Sequence, residues 1–99
     1  MIYLITRHQG ALEWFKKNHI AYDKHLAHLN TDVLQSGDQV IGNLPVNLIA
    51  QINKIGVSYF HLSFNVPYEW RGQELTSSQL DELCVEIKPY CVKDVTSPI

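Results

Sequence analysis

Strand-like and helix-like segments alternate along the chain with connections of only a few residues, and this limits the folds open to it more than any other feature. Ile2 to Ile5 reads as an apolar strand, followed by the polar turn Thr6-Arg7-His8-Gln9-Gly10. A helix is predicted from Ala11 to about Asn18, with Ala11, Leu12 and Phe15 at helical spacing. His25 to Leu29 reads as a second strand, Asn30 to Gly37 as a loop or single helical turn, and Gln39 to Ile41 as a third strand. Pro45 stands where a first-turn proline belongs, because its missing N–H costs nothing there. Leu48, Ile49, Ile52 and Ile55 then line a helix that Gly56 stops, and Val57 to Leu62 is a β-branched and aromatic fourth strand. Thr76 and Gln79 form a capping-box pattern ahead of the stripe Leu80, Leu83, Cys84 and Ile87. Lys88-Pro89 is predicted to end that helix, with Tyr90 to Val95 as a last strand. The expectation is α/β: a small three-layer, Rossmann-like single domain over residues 1–99, with a mainly parallel sheet.

Composition fits such a domain and excludes several functions. With 45% hydrophobic and 18% charged residues, the 99-residue chain is globular, long enough to bury about two-thirds of its unfolded surface. No apolar run approaches the roughly 18 residues of a membrane span, and no signal-peptide pattern is present, so a cytoplasmic address is expected. A formal charge of −2 argues against a general DNA or RNA coat protein, which needs a broad basic face. A small anionic ligand held by a local cluster stays allowed. Cys84 and Cys91 are too few and too far apart for a zinc motif and read as structural.

In an open parallel sheet, ligands collect at the carboxyl ends of the strands. Those ends carry Thr6, Arg7, His8 and Gly10 after the first strand, and Asn43, Leu44 and Pro45 after the third. After the fourth come Ser63 and Asn65, then a loop with Tyr68, Trp70 and Arg71. Two of these segments open helices, whose free N–H groups and macrodipole favour anions. The chain has only two arginines, Arg7 and Arg71, and both fall in this set. A guanidinium fork matches phosphate, although Arg71 has an ordinary alternative in pairing with Glu69 or Glu74. His8 is the acid/base candidate by position, with a hydrogen-bonded turn histidine as the plainer reading. His61 reads as a sheet histidine, and Tyr68 and Trp70 as either core or base-stacking residues. His25-x-x-His28 has no cysteine or carboxylate partner at ligand spacing, so no metal is expected. No Walker loop or nucleophile elbow occurs, and one glycine where a dinucleotide fingerprint needs three argues against NAD. No cofactor is expected.

Three blocks carry a family resemblance. Ile2-Tyr3-Leu4-Ile5-Thr6-Arg7-His8-x-Gly10-Ala11-x-Glu13-Trp14 resembles the start of a small CRISPR-associated family encoded beside type III interference loci. So do Gly37-Asp38-x-Val40-Ile41-Gly42-x-Leu44-Pro45-Val46 and the stretch from His61-Leu62-Ser63 to Arg71-Gly72-x-Glu74-Leu75, in the same order over nearly the whole chain. The resemblance implies a ring nuclease that opens cyclic oligoadenylate, chiefly cyclic tetra-adenylate, and switches off the antiviral response. It also implies a Rossmann-like fold related to CRISPR-associated ligand-sensing domains, acting as a homodimer. By motif, Arg7, His8 and Gly10 match the first block, Asn43 to Pro45 end the second, and Ser63 and Arg71 match the third.

The chemistry expected is metal-independent attack of a ribose 2′-hydroxyl on its own 3′-phosphodiester, leaving a 2′,3′-cyclic phosphate. Arg7 and the N–H groups after Gly10 would hold the phosphate, His8 would move a proton, and Arg71 would add charge or a lid. The rival readings are a non-catalytic sponge for the cyclic nucleotide and a structural subunit of an interference complex.

Overall fold

A computed structural model describes residues 1–83 and 85–95. Among these residues five strands form one mixed sheet in the order β2-β1-β3-β4-β5. They are β1 (Ile2–Ile5), β2 (Lys24–Leu26), β3 (Gln39–Gly42), β4 (Ser58–Ser63) and β5 (Glu86–Tyr90). The first four are mutually parallel, and β5 runs antiparallel to β4. Among the described residues three α-helices, α1 (Gln9–Lys17), α2 (Val46–Lys54) and α3 (Ser77–Glu82), and two 3-10 turns, Thr31–Val33 and Tyr68–Trp70, accompany the sheet. The α/β, mainly parallel expectation is therefore met.

Side-chain alternation along the strands builds a core on each face of the sheet. Tyr3, Ile5, Val40 and Tyr59 point to one face, where Ile49 and Ile52 of α2 cover them. Leu4, Ile41 and Leu62 point to the other, against Ala11, Trp14 and Phe15 of α1 and Leu80 of α3. The chain thus has helices on both faces, with Leu4, Phe15, Val40 and Ile52 fully buried. Gly56 ends the α2 segment with a φ of +90°, a conformation that favours a residue without Cβ.

The sequence boundaries need five corrections. Helix α1 begins at Gln9, two residues before the apolar spacing starts, because a tertiary partner described below holds its first N–H. Strand β2 ends at Leu26, so Ala27 to Leu29 belong to a loop. Pro45 is the residue before the first turn of α2, with an extended ψ of 151°. The capping box at Thr76 and Gln79 forms, yet the helix behind it stops at Glu82. Ile87 then lies in β5, paired with Leu62, and residues 91–95 carry no strand. Pro89 fits within β5 because this strand is the sheet edge, where a missing N–H leaves no ladder bond unmade. Cys84, the remaining member of the predicted stripe, lies outside the described residues.

Candidate functional site

The connection from β1 to β2 carries α1 on one face of the sheet, and that from β3 to β4 carries α2 on the other. Successive crossovers therefore diverge between β1 and β3, which leaves a crevice at the carboxyl ends of those strands. A cavity of about 640 Å³ opens there. Its walls are Thr6, Arg7 and His8 after β1, Ala27, His28 and Leu29 after β2, and Asn43, Leu44 and Pro45 after β3, over an apolar floor. That volume lies inside the usual range of about 300–1,000 Å³ for small-molecule sites.

Each wall is fixed by hydrogen bonds. After β1, the Thr6 N–H donates to the Leu26 carbonyl at 3.0 Å, and the Thr6 carbonyl lies 2.7 Å from His25 Nε2. The Thr6 hydroxyl accepts the His8 N–H at 3.1 Å, closing a tight turn that leaves the side chains of Arg7 and His8 exposed at the cavity. Helix α1 has no capping side chain of its own. Instead Glu74, on the segment leading into α3, accepts the Gln9 N–H at 3.0 Å and lies 3.7 Å from His8 Nδ1. A carboxylate so placed satisfies the positive end of the helix dipole.

The wall after β3 hangs from Tyr59. Its hydroxyl accepts the Leu44 N–H at 3.0 Å, donates to the Gly42 carbonyl at 2.9 Å and lies 2.7 Å from His61 Nδ1. A phenol has one hydrogen to give, so which way the contact with His61 Nδ1 runs follows that ring's tautomer. Burial raises the Tyr59 pKa above its ordinary value, with the Leu44 N–H pulling the other way, and the hydroxyl stays protonated at neutral pH. Asn43 adds a second tether, its side-chain amide donating to the Leu62 carbonyl at 3.2 Å.

Of the residues singled out in the sequence, Thr6, Arg7, His8, Asn43, Leu44 and Pro45 come together on this cavity. Gly10, Ser63, Asn65 and Arg71 do not line it. Gly10 is buried where α1 meets the start of α3, and a Cβ there would stand 1.7 Å from the Leu75 carbonyl oxygen. Its role is close helix packing. Ser63 pairs with Glu86 at the end of β4. Arg71 is exposed, forms no ion pair among the described residues, and donates from Nε to the Val66 carbonyl at 3.4 Å. The loop that carries it leaves the cavity wall at Phe64 and rejoins it at Leu75. On that loop Trp70 packs against the core around Phe15, while Tyr68 is 87% exposed.

Sequence reasoning missed the β2 wall, including His28, because the predicted second strand ran through those residues. It also missed Glu74 and Tyr59 as supports; both act through tertiary contacts that local patterns do not record. Among the described residues, no three His, Cys, Asp or Glu side chains gather as a metal site. No helix there is long and apolar enough to cross a membrane.

Residues 3–93 match the model of a family described as "Putative CRISPR-associated protein (Cas_VVA1548)". No curated protein and no solved structure gives a match.

Proposed function

The chain belongs to this CRISPR-associated family, and from that premise we propose that it is a ring nuclease acting on cyclic oligoadenylate, chiefly cyclic tetra-adenylate. The supporting observation is the cavity at the β1/β3 crevice, where one guanidinium and one imidazole from a rigid turn meet a second anchored loop. Arg7 holds the phosphodiester and stabilises the charge that develops on its oxygens. The ribose 2′-oxygen attacks the adjacent phosphorus, the bond to the 5′-oxygen breaks, and a 2′,3′-cyclic phosphate and a 5′-hydroxyl result. His8 supplies proton transfer, and the apolar floor takes adenine. The reaction needs no metal, since the attacking group is already tethered beside its phosphorus.

The strand order and the helices on both faces support a Rossmann-like fold related to CRISPR-associated sensing domains. The proposed substrate is a ring of four like nucleotides. Its symmetry suits a two-fold homodimer in which each protomer supplies one copy of the site. Such a protein works in the cytoplasm, lowering the messenger of a type III response.

The test is incubation with cyclic tetra-adenylate in EDTA, with enzyme well below substrate and products resolved by mass spectrometry. Many turnovers to linear products ending in cyclic phosphate are expected, and Arg7→Ala should lower kcat/KM by about 100-fold. Intact ring that co-elutes with the protein in gel filtration would replace the nuclease by a sponge. Intact ring that elutes free would remove the ligand itself and favour a structural subunit.

A further inference from the structure

We infer that His28 is a second catalytic residue of this site, taking the 2′-hydroxyl proton while His8 delivers one to the leaving 5′-oxygen. The inference rests on the proposed nuclease reading and starts from what the cavity holds. Among its lining residues the titratable side chains are Arg7, His8 and His28; no carboxylate, lysine, cysteine or tyrosine is present. Arginine stays protonated, so the two imidazoles are the lining groups able both to take and to give a proton.

The backbone places them for one phosphate. Strands β1 and β2 pair in parallel with Ile5 opposite Leu26, so His8 lies three residues beyond one strand end and His28 two beyond its neighbour. Adjacent strands stand about 4.8 Å apart, and both histidines line the one cavity that opens across these two strand ends. The Thr6 N–H bond to Leu26 and the His25 contact with the Thr6 carbonyl hold the two segments in register. His25 is committed to that tie, which separates it in role from His28.

In-line displacement sets the attacking and leaving oxygens on opposite sides of phosphorus. One wall must accept a proton and another must donate one. Glu74, 3.7 Å from His8 Nδ1, gives that ring the one carboxylate neighbour at the site among the described residues, and on this geometry we place the donor at His8. His28 has no carboxylate within 4.0 Å among the described residues, including Asp32 on the 3-10 turn that follows. Arg7 shares the cavity and serves the phosphoryl oxygens. The balance closes: the O2′–H proton goes to His28, the O2′–P bond forms, the P–O5′ bond breaks, and the His8 proton goes to O5′.

Single-turnover cleavage of cyclic tetra-adenylate against pH tests this, with binding measured in parallel. Wild type should give a bell-shaped profile. His28→Ala and His28→Asn should each lower the rate by about 100-fold or more, abolish the acid-side limb and leave affinity within about threefold. His8→Ala should abolish the alkaline-side limb. Free imidazole should restore part of the His28→Ala rate. Wild-type cleavage with both His28 variants retaining rate and limb would overturn this inference alone. A wild type that leaves the ring intact would overturn the nuclease reading and this inference with it.

Discussion

Replacing Tyr59 by phenylalanine removes one oxygen from the support of the candidate site and leaves the packing volume nearly unchanged. The residue is 1% exposed, and its hydroxyl meets the Leu44 N–H, the Gly42 carbonyl and His61 Nδ1 at 3.0, 2.9 and 2.7 Å. A buried polar group left unpaired costs about 1–3 kcal/mol. Gly42 is buried, whereas Leu44 and His61 are half-buried and gain water in exchange, so the expected loss is about 2 kcal/mol. For a domain of this size that corresponds to a fall in Tm of about 8–16 °C. Thermal unfolding by circular dichroism reads the stability, and amide exchange at Leu44 reads the local release. Faster exchange at Leu44 than at residues of β1 is expected, along with a higher KM for the cyclic nucleotide. A Tm within about 2 °C of wild type, with Leu44 exchange unchanged, would refute the argument that this hydroxyl holds the β3 loop.

Gly10→Ala should cost about 3 kcal/mol or more by urea unfolding, because the new Cβ meets the Leu75 carbonyl, backbone that cannot rotate away. A loss under about 0.5 kcal/mol would mean that α1 and the segment ahead of α3 slide freely. Thr76→Ala removes the acceptor of the Gln79 N–H at 3.2 Å and should lower stability by about 1 kcal/mol, read from the urea midpoint. The hydrogen bond from Lys17 holds the Asp81 carboxyl below its ordinary pKa. Its stabilising effect is therefore complete above the ordinary carboxylate range and fades as pH falls through the lowered value. Asp81→Asn should flatten the decline of the urea midpoint below about pH 4; an unchanged acid slope would show that the pair does not couple to folding.

Where local signals were strong, they sufficed. The apolar run of β1, the stripe and glycine stop of α2, and the capping box at Thr76 each depend on residues within one or two turns of each other. The C-terminal stripe failed for the converse reason. Leu80, Leu83 and Ile87 satisfy a helical spacing, but so short a pattern is equally open to a strand, and pairing with β4 captures Ile87. That pairing partner lies 25 residues upstream at Leu62, beyond any local window.

The candidate site divides along the same line. By itself the sequence determined which residues follow strand ends, and so marked Thr6, Arg7, His8 and Asn43 to Pro45, because strand-to-helix transitions are written in short-range periodicity. Only the tertiary structure decided which strand ends share a cavity. The order β2-β1-β3 sets the ends of the first three strands side by side, which brings in His28 and leaves Ser63, Asn65 and Arg71 outside the lining. It also decided the supports: Glu74 reaches Gln9 across 65 residues, and Leu75 meets Gly10 over the same distance along the chain. The physical reason is that strand order and helix packing are settled by burying two faces of one sheet at once, a condition on the whole chain that no short segment carries.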